Sequence, residues 1–130
     1  PFVVEHGRQG AYDASEIADI PQPLRTRWLD AKADADGRHK FANEVRSLVT
    51  FREMNLMERW PVKGPFDAIF CRNVVIYFDR QTQERMWSGF AGLMRQGSVL
   101  YVGHSERVAG KDAGNLHPDG ITTYLFRRGA

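Results

Sequence analysis

Phe66-Asp-Ala-Ile-Phe-Cys-Arg-Asn-Val-Val-Ile-Tyr-Phe78, followed by Asp79, is the stretch on which the fold turns. Apart from Asp67, Arg72 and Asn73 it is almost continuously apolar. A run with apolar residues on both faces fits a parallel strand inside a sheet covered by helices. Asp79 is placed to cap the next element, Arg80 to Arg95, in which Met86, Phe90, Leu93 and Met94 recur at helical spacing on one face, with Gly97 as its stop. Val99-Leu-Tyr-Val-Gly103 reads as a second buried strand. After a polar loop with several glycines, Ile121-Thr-Thr-Tyr-Leu-Phe126 reads as a third. Strand, helix, strand in this order is the crossover unit of an α/β fold.

Upstream the pattern is more broken. Ser15 to Ile20 has a short helical pattern, stopped by Pro21 and Pro23. From Leu24 to Phe51, short apolar clusters (Trp28-Leu29, Phe41-Ala42, Val45, Leu48-Val49, Phe51) alternate with polar stretches. Asp30-Ala-Lys-Ala-Asp-Ala-Asp-Gly37 reads as a loop between strands. Residues 24–51 therefore read as a small, mostly antiparallel subdomain, with an amphipathic helix through Asn43 to Val49 as the other reading of the same pattern. There is no internal repeat.

Composition narrows the class. The 130 residues carry 18 Lys+Arg against 16 Asp+Glu, a net charge of +2, with 42% hydrophobic residues. That is enough chain for one domain or a large piece of one. A nearly balanced charge speaks against a disordered acidic tail and against a basic nucleic-acid arm. The single cysteine, Cys71, excludes an intrachain disulfide framework. No apolar run approaches the ~20 residues of a membrane helix, so the expectation is a cytoplasmic protein with no membrane insertion.

Open α/β sheets bind ligands beyond the carboxyl ends of their strands. Three such places carry polar residues after an apolar run: Cys71-Arg72-Asn73, Gly103-His-Ser-Glu106, and Asn55-Leu56 after Val49-Thr-Phe51. Arg72, embedded between Phe70-Cys71 and Val74-Ile76, is expected to be buried, which for a guanidinium demands a partner or a ligand. Tyr77 offers a hydroxyl and a ring face, and serves equally well as a core residue. His104-Ser105-Glu106 is no hydrolase triad, because adjacent residues do not align nucleophile, base and acid, and no Gly-x-Ser-x-Gly elbow is present. His6, His39, His104 and His117 are too scattered for a metal site. No Gly-x-Gly-x-x-Gly fingerprint or Walker loop occurs. The Asn-Pro-Pro-Tyr signature of amino-group methyltransferases is also missing, since Asn73 and Tyr77 are separated by Val-Val-Ile.

The block Phe66 to Asp79, a helix, and then Gly103-His-Ser-Glu106 resembles the CheR family of chemotaxis receptor methyltransferases. Gly10-Ala-Tyr12, Leu24 to Leu29 and Phe51 to Leu56 follow the family's order, so the resemblance covers essentially the whole chain. It implies a Rossmann-like S-adenosylmethionine-dependent methyltransferase domain that methylates glutamate side chains on the cytoplasmic domain of chemoreceptors. Asn55, Leu56, Cys71 and Arg72 are then the cofactor contacts, and Arg72 and Tyr77 line the place of methyl transfer. Residues 24–51 become the family's inserted β-subdomain, which faces the receptor, between a helical segment (1–23) and the C-terminal half of the methyltransferase domain (52–130). The family's glycine-rich pentapeptide-binding loop corresponds here to Asp30–Gly37, which has one glycine. The glycine-containing cofactor motif and ribose-binding acid would precede Pro1. The resemblance thus implies a C-terminal fragment, inactive alone, with exposed strand edges that favour self-association or strand exchange. A non-catalytic docking module on the same fold is the alternative from another class. An enzyme acting on nucleic acid is disfavoured by the charge balance.

Overall fold

The computed structural model describes residues 2–110 and 113–129, and they form two compact units, one running to Met54 and the other starting at Asn55. Pro1, Lys111, Asp112 and Ala130 lie outside the described residues. Among the described residues no helix is long and apolar enough to cross a membrane.

The first unit contains α1 (Phe2–Gln9), β1 (Ala11–Tyr12), α2 (Gln22–Trp28), β2 (His39–Lys40) and α3 (Asn43–Arg46). β1 and β2 pair antiparallel, Ala11 opposite Lys40 and Tyr12 opposite His39, and a single bridge joins Leu29 to Phe41. His6, Tyr12 and Phe41 meet edge to face at 5.2 and 5.8 Å. Two expectations change here. Residues 15–19 form turns, and Pro23 opens α2 instead of ending a helix. Its missing N–H falls at a helix start, where no intrahelical acceptor is needed. The strand reading of 24–51 reduces to the two-residue β2 and the bridge, while the helix reading of Asn43–Val49 survives as the four-residue α3. The loop reading of Asp30–Gly37 holds. The Asp34 carboxylate accepts from the N–H groups of Asp36 and Arg38 at 3.0 and 2.9 Å, and these bonds draw its pKa below the ordinary value.

The second unit contains β3 (Phe66–Cys71), a 3₁₀ turn (Val75–Tyr77), α4 (Arg80–Gly92), β4 (Met94–Val102), β5 (Leu116–Pro118) and β6 (Thr123–Phe126). The sheet order is β3-β4-β6-β5. β3 and β4 run parallel and the other two pairings are antiparallel. The strand–helix–strand crossover is thus as expected. Asp79 caps α4, its carboxylate accepting from Thr82 N–H at 2.8 Å. One sheet face packs on α4, where Cys71, Leu100 and Val102 of the strands meet Met86, Trp87, Phe90 and Ala91. Trp60 extends this core, its ring 4.9 Å from that of Phe90.

Three boundaries move. β3 ends at Cys71 instead of running to Phe78, because Asn73 adopts a left-handed φ of 58° and turns the chain. α4 ends at Gly92, and Met94 becomes the first residue of β4, buried in the same core. Gly97, at φ 84°, lies inside β4 where the register against β3 slips between Phe66 and Ala68. There the buried Ser98 hydroxyl donates to Phe66 C=O at 2.7 Å and accepts from Arg95 N–H at 3.0 Å. β5, within the segment read as polar loop, was not expected. Nor is β3 buried on both faces: its outer edge has no ladder partner among the described residues, and Phe70 is 70% exposed, stacked on Tyr101 at 4.4 Å.

Candidate functional site

The parallel pair β3–β4 ends in two loops at the sheet's carboxyl rim, the place where an open α/β sheet presents ligand-binding groups. The first loop follows Cys71 and the second follows Val102, and these two residues are register partners. Glu106 joins the loops. It is buried, 3% exposed, and its carboxylate accepts from five backbone N–H groups. Oε2 takes Gly103 at 2.6 Å and Asn73 at 3.1 Å. Oε1 takes Val75 at 2.7 Å, Val74 at 2.9 Å and Ile76 at 3.3 Å. Burial raises the carboxyl's pKa, but the N–H bonds from Gly103, Val75, Asn73 and Val74 outweigh it, and the net value lies below the ordinary one. The junction is tight: a Cβ on Gly103 would collide with the Asn73 side chain and lie 2.9 Å from Asn73 N.

Arg72 and Tyr77 flank the amides that Glu106 gathers. Arg72 is exposed, not buried as the apolar context suggested, and its Nε donates to Val102 C=O at 3.2 Å. β3 ends at Cys71, so Arg72 lies just past the strand and no desolvation cost has to be offset. Tyr77 is 80% exposed and takes no part in the core, which settles the choice left open above against the core reading. Cys71 is buried, and burial together with the nearby Glu106 charge pushes its thiol up to about 11. The thiol is protonated at neutral pH and is no nucleophile.

Asn55 and Leu56 lie in a segment outside any strand. Residues 49–54 form no strand, so Asn55 does not follow a strand end. An isolated apolar run such as Val49-Thr-Phe51 becomes a strand only with a ladder partner, and among the described residues no strand ladder includes it. Asn55 closes a local turn, accepting from Met57 N–H at 2.9 Å and donating to Glu58 at 3.0 Å. Leu56 lines a cavity of about 520 Å³ with Trp60, Arg85, Gly89 and Leu93 among others, and none of Cys71, Arg72 and Tyr77 borders it. The structure therefore puts Cys71 and Arg72 at the end of β3 and Tyr77 in the turn that follows, with Leu56 beside Arg85 and Gly89 of α4 and Asn55 held in a local turn. Glu106 was dismissed with the triad. The signal that could have found it is an acid three residues after a strand-ending glycine, in a loop facing a second strand end. Among the described residues no group of three His, Cys, Asp or Glu could hold a metal ion.

A parallel strand pair whose carboxyl ends carry a pinned loop with exposed cationic and aromatic groups defines a ligand-binding α/β domain of Rossmann-like type. The family described as CheR methyltransferase, SAM binding domain, matches residues 1–124, and the chain belongs to that family. It is 46% identical over 97% of its length to a probable chemotaxis protein methyltransferase of Rhizobium etli, covering 47% of that protein. It is 41% identical over 80% of its length to chemotaxis protein methyltransferase 2 of Pseudomonas aeruginosa, and equally so to the chemotaxis protein methyltransferase of Salmonella typhimurium, covering 38% and 37% of them. The chain thus spans less than half the length of these relatives. The family's cofactor is S-adenosylmethionine. Of the residues the resemblance assigns to it, Cys71 ends β3 and Arg72 follows it, while Asn55 and Leu56 stand in the segment that Asn55 turns.

Proposed function

We propose that the protein of which this chain forms part methylates glutamate side chains on the cytoplasmic domain of chemoreceptors, in the cytoplasm, as a protein-glutamate O-methyltransferase. The observation that carries this reading is the exposed guanidinium of Arg72 on a loop pinned at the carboxyl rim, with the exposed Tyr77 closing the same loop. S-adenosylmethionine supplies an electrophilic methyl group. The acceptor carboxylate, with a reference pKa of about 4.3, is already ionised at neutral pH and needs no general base. The rim accordingly has to orient the acceptor, and orientation can lower a barrier by roughly 7–11 kcal/mol. Arg72 steers the carboxylate through charge-assisted hydrogen bonds. Tyr77 positions a substrate through its hydroxyl, or offers its ring to a cation at ~0.5–2 kcal/mol.

The test is methyl incorporation into receptor by a form of the protein that transfers methyl groups. Arg72→Ala should cut it sharply with the fold intact, and wild-type turnover would remove Arg72 from the site. On this reading the 130-residue chain alone is inactive and self-associates through the open edge of β3, which a strictly monomeric sedimentation profile at high concentration would refute.

The place of Leu56 in a cavity that Cys71, Arg72 and Tyr77 do not line favours a second reading, a docking module that transfers no methyl group. Calorimetry with S-adenosylhomocysteine separates the two. Binding that is weak in this chain and clear in a longer form supports the enzyme, and no binding by any form supports the module.

A further inference from the structure

Arg72 and Tyr77 are exposed, so packing does not place them. Their directions come from the backbone between them, residues 73–76, whose four N–H groups all end on Glu106. The fifth donor, Gly103, follows Val102, the residue on whose carbonyl Arg72 rests. Fixing Glu106 therefore fixes both the loop bearing Arg72 and the perch for its guanidinium.

We propose that Glu106 is a positioning residue for methyl transfer, one carboxylate that locks the two rim loops together and so sets where Arg72 and Tyr77 stand. This rests on the methyltransferase reading above. All five partners are donors, and an ionised carboxylate, which only accepts, satisfies them all. Glutamine has the same shape, but its NH₂ faces N–H groups and cannot accept. No cation supplies a compensating side-chain bond among the described residues: Arg107 donates to the backbone carbonyls of His104 and Glu106. The buried charge is thus balanced by oriented backbone dipoles, which ties it to one loop geometry. That geometry includes the left-handed Asn73, a conformation that persists only where its surroundings enforce it.

The experiment compares wild type, Glu106→Gln and Glu106→Asp in a form of the protein that transfers methyl groups, with rates expressed per folded molecule by near-ultraviolet circular dichroism. For Glu106→Gln, kcat should fall by roughly 10–100-fold, the scale of displacing a reacting group by about 1 Å, while the acceptor KM changes far less. Glu106→Asp, which keeps the charge, should recover part of the loss. Amide hydrogen exchange at residues 73–76 should speed up in Glu106→Gln while that of α4 stays the same. An unchanged kcat per folded molecule in Glu106→Gln overturns the proposal whatever its melting temperature. If that variant does not fold, an unchanged kcat in Glu106→Asp, despite faster exchange at 73–76, overturns it equally. Wild-type protein without methyl transfer would instead refute the proposed function.

Discussion

Glu106→Ala is the substitution that should cost the second unit most per atom removed. It deletes a buried acceptor on which five N–H groups converge. Three of those donors belong to exposed residues, Asn73, Val74 and Ile76, and water can take over their bonds. Val75 and Gly103 are buried, with the shortest bonds of the set at 2.7 and 2.6 Å, and they would be orphaned. At about 1–3 kcal/mol for each orphaned donor, the loss comes to roughly 2–6 kcal/mol. The pH dependence follows from the lowered pKa of Glu106. The folded state favours the carboxylate, so its contribution is complete above the unfolded value of about 4.3 and is lost as pH falls through the lower folded value. Urea unfolding followed by the fluorescence of Trp87, 1% exposed in the same unit, measures both effects. Wild type should lose stability on acidification below about pH 4, and Glu106→Gln should show a flatter acid limb. A loss under about 1 kcal/mol in Glu106→Ala, or an unchanged acid limb in Glu106→Gln, would show that Glu106 does not hold these donors as an ionised acceptor.

Trp87→Ala should destabilise the second unit by about 3–5 kcal/mol, read by thermal unfolding, because the ring is buried among the residues that join α4 to the sheet. Cys71, with its thiol pushed up to about 11, should react slowly with iodoacetamide at neutral pH in the folded chain and readily in urea, as scored by mass spectrometry. Arg72→Lys keeps the charge but loses the planar fork and the Nε bond to Val102, so it should recover acceptor KM better than kcat. Wild-type values of both constants would make Arg72 a point charge and nothing more.

What was legible in the sequence was whatever local chemistry decides alone. Asp79 announces the start of α4 because a cap needs only its own carboxylate and an N–H three residues on. The end of α4 was missed because Leu93 and Met94 are apolar in either assignment. Met94 is buried as the first residue of β4 just as it would have been on a helix face. The same ambiguity stretched β3 too far. Phe70 and Tyr77 are as apolar in the sequence as Val75, yet they are 70% and 80% exposed and Val75 is fully buried. Hydrophobicity states what a residue would favour, and the neighbouring strands decide whether that is met.

The site was legible in its chemistry and illegible in its support. Arg72 and Tyr77 stand out by type and by position near the end of an apolar run, and the structure leaves both exposed, Arg72 just after β3 and Tyr77 in the turn that follows. Arg72 is nonetheless exposed where its apolar neighbours suggest burial, because β3 ends at Cys71 and leaves it beyond the strand. A guanidinium that stays in water keeps its solvation until an acceptor arrives, so it gains little from charge alone. Its usefulness then depends on being held still, since an anchored fork loses less rotamer freedom on forming each hydrogen bond. The anchor is the Val102 carbonyl, and the frame that holds carbonyl and arginine in register is the Glu106 carboxylate, close to Val102 in the chain and far from Arg72. A motif search weighs Glu106 as acid, base or ligand. Five converging backbone donors give it a different task, because every pair of electrons it could offer to a proton or a metal is already engaged.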